Sequence, residues 1–100
     1  MLWAIYAKDK AGALEKRMAE RADHLDYLGD FGDQIVLAGA SLTDDGETMT
    51  GSVIVVNMAS RDDVVAFSNG DPFTKAGVFE SVEITRMRKG VWHPDNIPEA

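Results

Sequence analysis

The residue pattern predicts an α+β domain in a βαββαβ order, with the two helices on one side of a four-stranded antiparallel sheet. Three observations lead there. Short apolar runs rich in β-branched and aromatic residues alternate with segments of helical spacing. Turn residues punctuate the runs where a chain of this order must reverse. A length of 100 residues suits one core and is too short for two.

The elements follow in order. Leu2 to Ala7 reads as a strand, broken by Lys8-Asp9-Lys10-Ala11-Gly12. From Ala13 to about Phe31 the spacing turns helical, with Leu14, Met18, Ala22, Leu25 and Leu28 marking the face expected to meet the core. Ile35 to Ala38 is a second strand, and Thr43-Asp44-Asp45-Gly46-Glu47 a polar hairpin loop. Gly51 to Met58 is a third strand. Ser60 and Asp63 form a capping pair for a short helix through Ser68. Asp71-Pro72 reads as an N-cap followed by proline at the first helical position. Val82 to Met87 is the last strand; residues 1–90 make the domain and 91–100 a C-terminal tail.

Both faces of the strands are apolar. Leu2, Ala4 and Tyr6 point one way and Trp3, Ile5 and Ala7 the other, and Val53-Ile54-Val55-Val56 repeats the pattern. Two helices cover one face of such a sheet. A second copy is the simplest cover for the other, so a homodimer with facing sheets is expected.

Charge narrows the partners. Seventeen acids outnumber ten Lys and Arg, giving a net charge of −7, which disfavours nucleic acid and anionic membrane surfaces. Without cysteine there is neither a disulfide framework nor thiolate chemistry. No basic n-region precedes Leu2 and no apolar run reaches spanning length, so a cytoplasmic protein is expected.

His24 is the one histidine inside the folded body. Arg17, Arg21, His24 and Leu28 fall at i, i+4, i+7 and i+11, one stripe flanking the apolar face. Arginines beside a titratable imidazole suit a carboxylate or phenolate ligand. Spacing alone equally describes a solvated flank, with the arginines paired to Glu15 or Glu20. Of the two, Arg21 is expected to meet a ligand and Arg17 to stay in solvent. Asp71 is read from spacing as a helix cap, although a carboxylate there would be able to orient His24. Ser41 and Ser52 are candidate pocket hydroxyls, neither in a nucleophile elbow. Trp3, Tyr6, Phe73 and Phe79 are candidates for a cleft wall. The two histidines lack metal-ligand spacing, so neither metal nor organic cofactor is expected.

The opening Met1-Leu2-Trp3-Ala4-Ile5-Tyr6-Ala7-Lys8-Asp9-Lys10, then Leu14-Glu15-Lys16-Arg17 and Arg21-Ala22-Asp23-His24-Leu25, resembles the YciI-like proteins. The likeness continues at Leu37-Ala38-Gly39, Thr50-Gly51-Ser52 and Asp71-Pro72-Phe73-Thr74-Lys75-Ala76-Gly77-Val78-Phe79, and covers residues 1 to about 88. It implies a ferredoxin-like fold of the dimeric α/β-barrel superfamily, with His24 and Asp71 as an active-site pair in a cleft and Arg21 nearby. One relative resembles a dehydrochlorinase of a chlorinated hydroxyquinol, and the superfamily includes enzymes that need no metal or organic cofactor. Ala40-Ser41-Leu42 departs from relatives that often carry proline there, and the tail around Trp92 extends past the usual end.

The function expected is a cofactor-free lyase or isomerase moving a proton on a small oxygenated aromatic or unsaturated acid. His24 is its base or acid, Asp71 the orienting group, and Arg21, Ser41 and Phe73 bind the ligand. The alternatives are a metabolite-binding protein using the same cleft and a purely structural dimer module.

Overall fold

The computed structural model describes residues 1–99, running β1 (Leu2–Asp9), α1 (Leu14–Asp30), β2 (Ile35–Leu42), β3 (Met49–Asn57), α2 (Arg61–Gly70), α3 (Pro72–Lys75) and β4 (Phe79–Met87), with a short 3-10 turn at Pro94–Asn96. Ala100, the last residue of the predicted tail, lies outside the described residues. The four strands form one antiparallel sheet in the order β2-β3-β1-β4. The first strand is therefore central, which suits its aromatic and β-branched composition. The first, second and fourth strands run beyond their expected bounds and the third begins two residues early, at Met49, because residues such as Ser41 and Ser81 still take places in the ladder.

Register explains the core. Ile5 lies between Ile54 and Ile84, and Trp3 between Val56 and Arg86, so one face of the sheet carries a row of large apolar side chains. Trp3, Ile5, Ile54, Val56 and Met58 pack there with Val64 and Phe67 of α2. Tyr27, Leu28 and Phe31 close this core from the end of α1, with Phe31 edge-on to Phe67 at 4.7 Å. A smaller cluster of Ala13, Phe73 and Val78 sits beneath the β1–α1 turn.

Local signals hold at the caps. Ser60 Oγ accepts the Asp63 N–H at 3.1 Å, the forward half of the predicted capping pair, and α2 continues to Gly70. Asp71 caps α3 with Pro72 at its first position. Gly77, at φ 75, then turns the chain into β4, a conformation that favours glycine.

The face of α1 is not the one expected. Leu14, Met18 and Leu25 are 44%, 52% and 47% exposed, whereas Arg17 and His24 are the buried residues of this helix. The helix is rotated so that Arg17, His24, Tyr27 and Leu28 face inward. It does so because each inward polar group finds a partner there, which removes the penalty that binary patterning assumes.

Among the described residues, no helix covers the other face of the sheet. Tyr6, Leu37, Val53 and Met87 are each between 42% and 46% exposed on it. No helix among the described residues is long and apolar enough to cross a membrane.

Candidate functional site

Arg17, His24, Ser52 and Asp71 are the only buried polar or charged residues among the described residues, and all four meet at one place. Two lie two turns apart on α1, Ser52 lies in β3, and Asp71 occupies the step from α2 to α3. Arg17, His24 and Ser52 border a cavity of about 290 Å³ between α1 and the β2–β3 half of the sheet, and Asp71 stands behind His24. Its remaining wall is mostly apolar, including Leu25, Leu28, Ala40, Met49, Ile54 and Phe73. Engineered cavities of about 150 Å³ already admit benzene, so this one has room for a single substituted ring.

His24 Nδ1 stands 2.8 Å from Asp71 Oδ1. The same oxygen accepts the Phe73 N–H at 2.9 Å. One carboxylate oxygen therefore both caps α3 and fixes the imidazole. An ionised carboxylate only accepts, so in the neutral imidazole this contact puts the proton on Nδ1 and the lone pair on Nε2. Phe73 stacks on the ring at 3.9 Å and 14°, locking its tilt. The pairing that spacing alone left as a cap is thus also a contact.

Arg17 departs from expectation. It is 3% exposed rather than solvated, and neither Glu15 nor Glu20 is its partner. Its Nε donates to Asp9 Oδ2 at 2.7 Å and Nη2 to Asp9 Oδ1 at 3.1 Å, a bidentate pair, while Nη2 also donates to Ser52 Oγ at 2.8 Å. Its guanidinium lies 4.5 Å from the centre of the Phe73 ring. Since His24 already covers one face of that ring, Arg17 occupies the other, and Phe73 separates the two.

The remaining candidates divide. Arg21 is exposed and borders the cavity. Phe73 and Ser52 line it, whereas Ser41 does not: its hydroxyl pairs with Thr50 Oγ1 at 2.9 Å. The register shift between Ser41 and Leu42 brings Leu42, not Ser41, to the wall. Trp3 belongs to the core, Tyr6 to the open sheet face, and Phe79 packs edge-on behind Phe73 at 5.9 Å. Asp9 is a site residue that the sequence reading misses. Its position at the end of β1, one turn before a helix carrying Arg17, was the available signal. No group of three His, Asp or Glu among the described residues is placed to hold a metal.

The YCII-related domain matches residues 1–88. Protein YciI of Escherichia coli O6:H1 and Protein YciI of Shigella flexneri are each 35% identical over 96 residues, covering 89% of this chain and 98% of theirs. Among solved structures, 5-chloro-2-hydroxyhydroquinone dehydrochlorinase from Burkholderia phenoliruptrix AC1100, in complex with 2,5-dihydroxybenzoquinone, is similar with a TM-score of 0.84 and 38% identity. That match covers 90% of this chain and 96% of the other. The fold is ferredoxin-like, as the topology indicates.

Proposed function

The chain belongs to the YCII-related domain family, and within it we propose a cofactor-independent enzyme that moves a proton on a small oxygenated aromatic or unsaturated acid. The observation that carries this reading is the 2.8 Å His24–Asp71 contact, which leaves Nε2 as a basic atom at a ring-sized cavity. His24 takes a proton from the ligand. The electron pair it releases either shifts a double bond, giving an isomerase, or expels an anion, giving a lyase. Asp71 holds the tautomer, Phe73 provides a flat wall, and Arg21 at the mouth meets the acid group. The dehydrochlorinase that this chain resembles acts on a chlorinated hydroxylated ring and was solved with a quinone, which favours a ligand of that class.

We also propose that a second copy covers the open face of the sheet. An apolar hollow there is bounded by Leu2, Leu37, Val55 and Met87, with Trp92 of the tail at its edge. Val91 and Trp92 are 82% and 52% exposed, so the tail has apolar surface to place on a partner.

The test is chloride release from 5-chloro-2-hydroxyhydroquinone, followed alongside conversion of simple unsaturated lactones. Turnover of one of them is expected to fall by about 10²–10⁴ in His24→Ala. A ligand-dependent rise in melting temperature without any turnover would overturn the enzymatic reading in favour of a metabolite-binding protein.

A further inference from the structure

Three N–H donors of Arg17 are spent on the protein, one of Nε and two of Nη2. The two N–H groups of Nη1 have no partner among the described residues. A guanidinium is planar, so with its Nε–Nη2 edge on Asp9, Nη1 lies beside Nη2 at the end that faces Ser52. Arg17 and Ser52 both line the cavity. Thr74 Oγ1 is the one sealed-off side-chain polar atom without a partner among the described residues, so Nη1 is not shut inside the protein. Ser52 Oγ accepts from Arg17, and its own proton is left to donate elsewhere. Two donors therefore stand side by side on groups only 3% exposed.

Charge decides what they receive. Asp9 cancels the charge of Arg17, so this end offers hydrogen-bond donors without a net positive charge. It suits a neutral oxygen that gains charge only in the reaction better than a full anion. Arg21, exposed and without an acidic partner among the described residues, is left for the ligand's charged end.

We infer that Ser52 Oγ–H and Arg17 Nη1–H hold a carbonyl or phenolic oxygen of the ligand, an oxyanion site at the buried end of the cavity, with the acid group turned to Arg21. This rests on His24 being the base. In the step it implies, the C–H bond beside the held carbonyl breaks and the proton passes to Nε2. The bond's electron pair forms a C=C bond, and the carbonyl π pair moves onto the oxygen, where the two donors stabilise it. Nothing is oxidised or reduced, and no co-reactant is consumed.

The experiment is calorimetric titration of the full chain with 2,5-dihydroxybenzoquinone, at low salt and at about 1 M salt, where the screening length is about 3 Å. Ser52→Ala is expected to weaken binding about tenfold at both salts, since a buried short-range hydrogen bond is not screened away by salt. Arg21→Ala is expected to lose about threefold at low salt and nothing at high salt. Arg17→Lys keeps the charge without the fork and should weaken binding at least as much as Ser52→Ala; if it fails to fold, Ser52→Ala, checked by its melting temperature, carries the test alone. Binding by Ser52→Ala within twofold of the parent overturns the oxyanion site and leaves the cavity reading standing. A Ser52→Ala loss that disappears with salt also overturns it. No binding by the parent overturns the cavity reading and this inference together.

Discussion

Along β1, Trp3, Ile5 and Ala7 turn towards the helices and are at most 5% exposed, whereas Tyr6 on the opposite face is 44% exposed. The same strand thus lines two environments, and their chemistry is the reverse of the usual arrangement. The covered face holds every buried polar or charged residue described, Arg17, His24, Ser52 and Asp71. The open face displays Tyr6, Leu37, Val53 and Met87. Polar groups are kept inside where each is paired and shielded from water, which makes their hydrogen bonds stronger and their geometry fixed. Apolar groups left outside have no such partner within the chain. On the function proposed above, the contrast separates two tasks: chemistry on the covered face and association on the open one.

Neighbouring residues of β3 break the comparison most sharply. Ile54 is 4% exposed against the helices, and Val53 is 42% exposed on the open side. Ile54→Asp places an unpaired carboxylate in the core at a cost of several kcal/mol, a large share of a total stability of about 5–15 kcal/mol. Circular dichroism should show an unfolded chain. Val53→Asp should instead keep native circular dichroism while light scattering drops to the 10.9 kDa of one chain. A Val53→Asp protein that keeps the parent's mass, or a parent already at 10.9 kDa, would remove association from the open face.

The polar side is sharpened by Asp71→Asn. Asparagine caps a helix as well as aspartate does, so α3 and the melting temperature should change little. The amide no longer supplies a carboxylate to the Nδ1 proton, and turnover should fall about a hundredfold or more. Equal activity in Asp71→Asn and the parent would reduce Asp71 to a cap.

The smallest effect lies at alkaline pH. Tyr27 donates to the Phe67 carbonyl, and burial, reinforced by Asp71 and Asp30, raises its pKa above 10.0. A pKa raised on folding means the stabilisation is whole below the unfolded value and is lost as pH rises through the folded one. Melting temperature should therefore decline above about pH 10, and less so in Tyr27→Phe. A parallel decline in both would exclude Tyr27 as the cause.

The βαββαβ order of elements along the chain was legible because apolar period and turn chemistry are local. The cap at Asp71 was legible for the same reason. The contact between Asp71 and His24 spans 47 residues and lies in no spacing; likeness to a family suggested it, and the 2.8 Å geometry supplies it. Arg17 was misplaced by a rule that is usually sound. Leu14, Met18 and Leu25 form the apolar stripe, and placing them inward put Arg17 in water. The rule weighs each side chain alone, while Arg17 is buried as part of a bidentate pair with Asp9 and a bond to Ser52. Spacing does not separate Ser41 from Ser52; the register shift at the end of β2 does, turning Leu42 to the wall in place of Ser41.

One feature of α1 constrains how such a chain can change over generations. Arg17 and His24 are seven residues apart, about 10.5 Å along the axis at 1.5 Å per residue, and the Phe73 ring fills that interval. The helix acts as a ruler with two marks. Between the marks, Met18, Ala19, Arg21, Ala22 and Asp23 are all exposed. A single inserted or deleted residue among them would turn His24 by about 100° relative to Arg17 and carry one of them off the ring. Over this stretch most letters are free to drift, but their number is not.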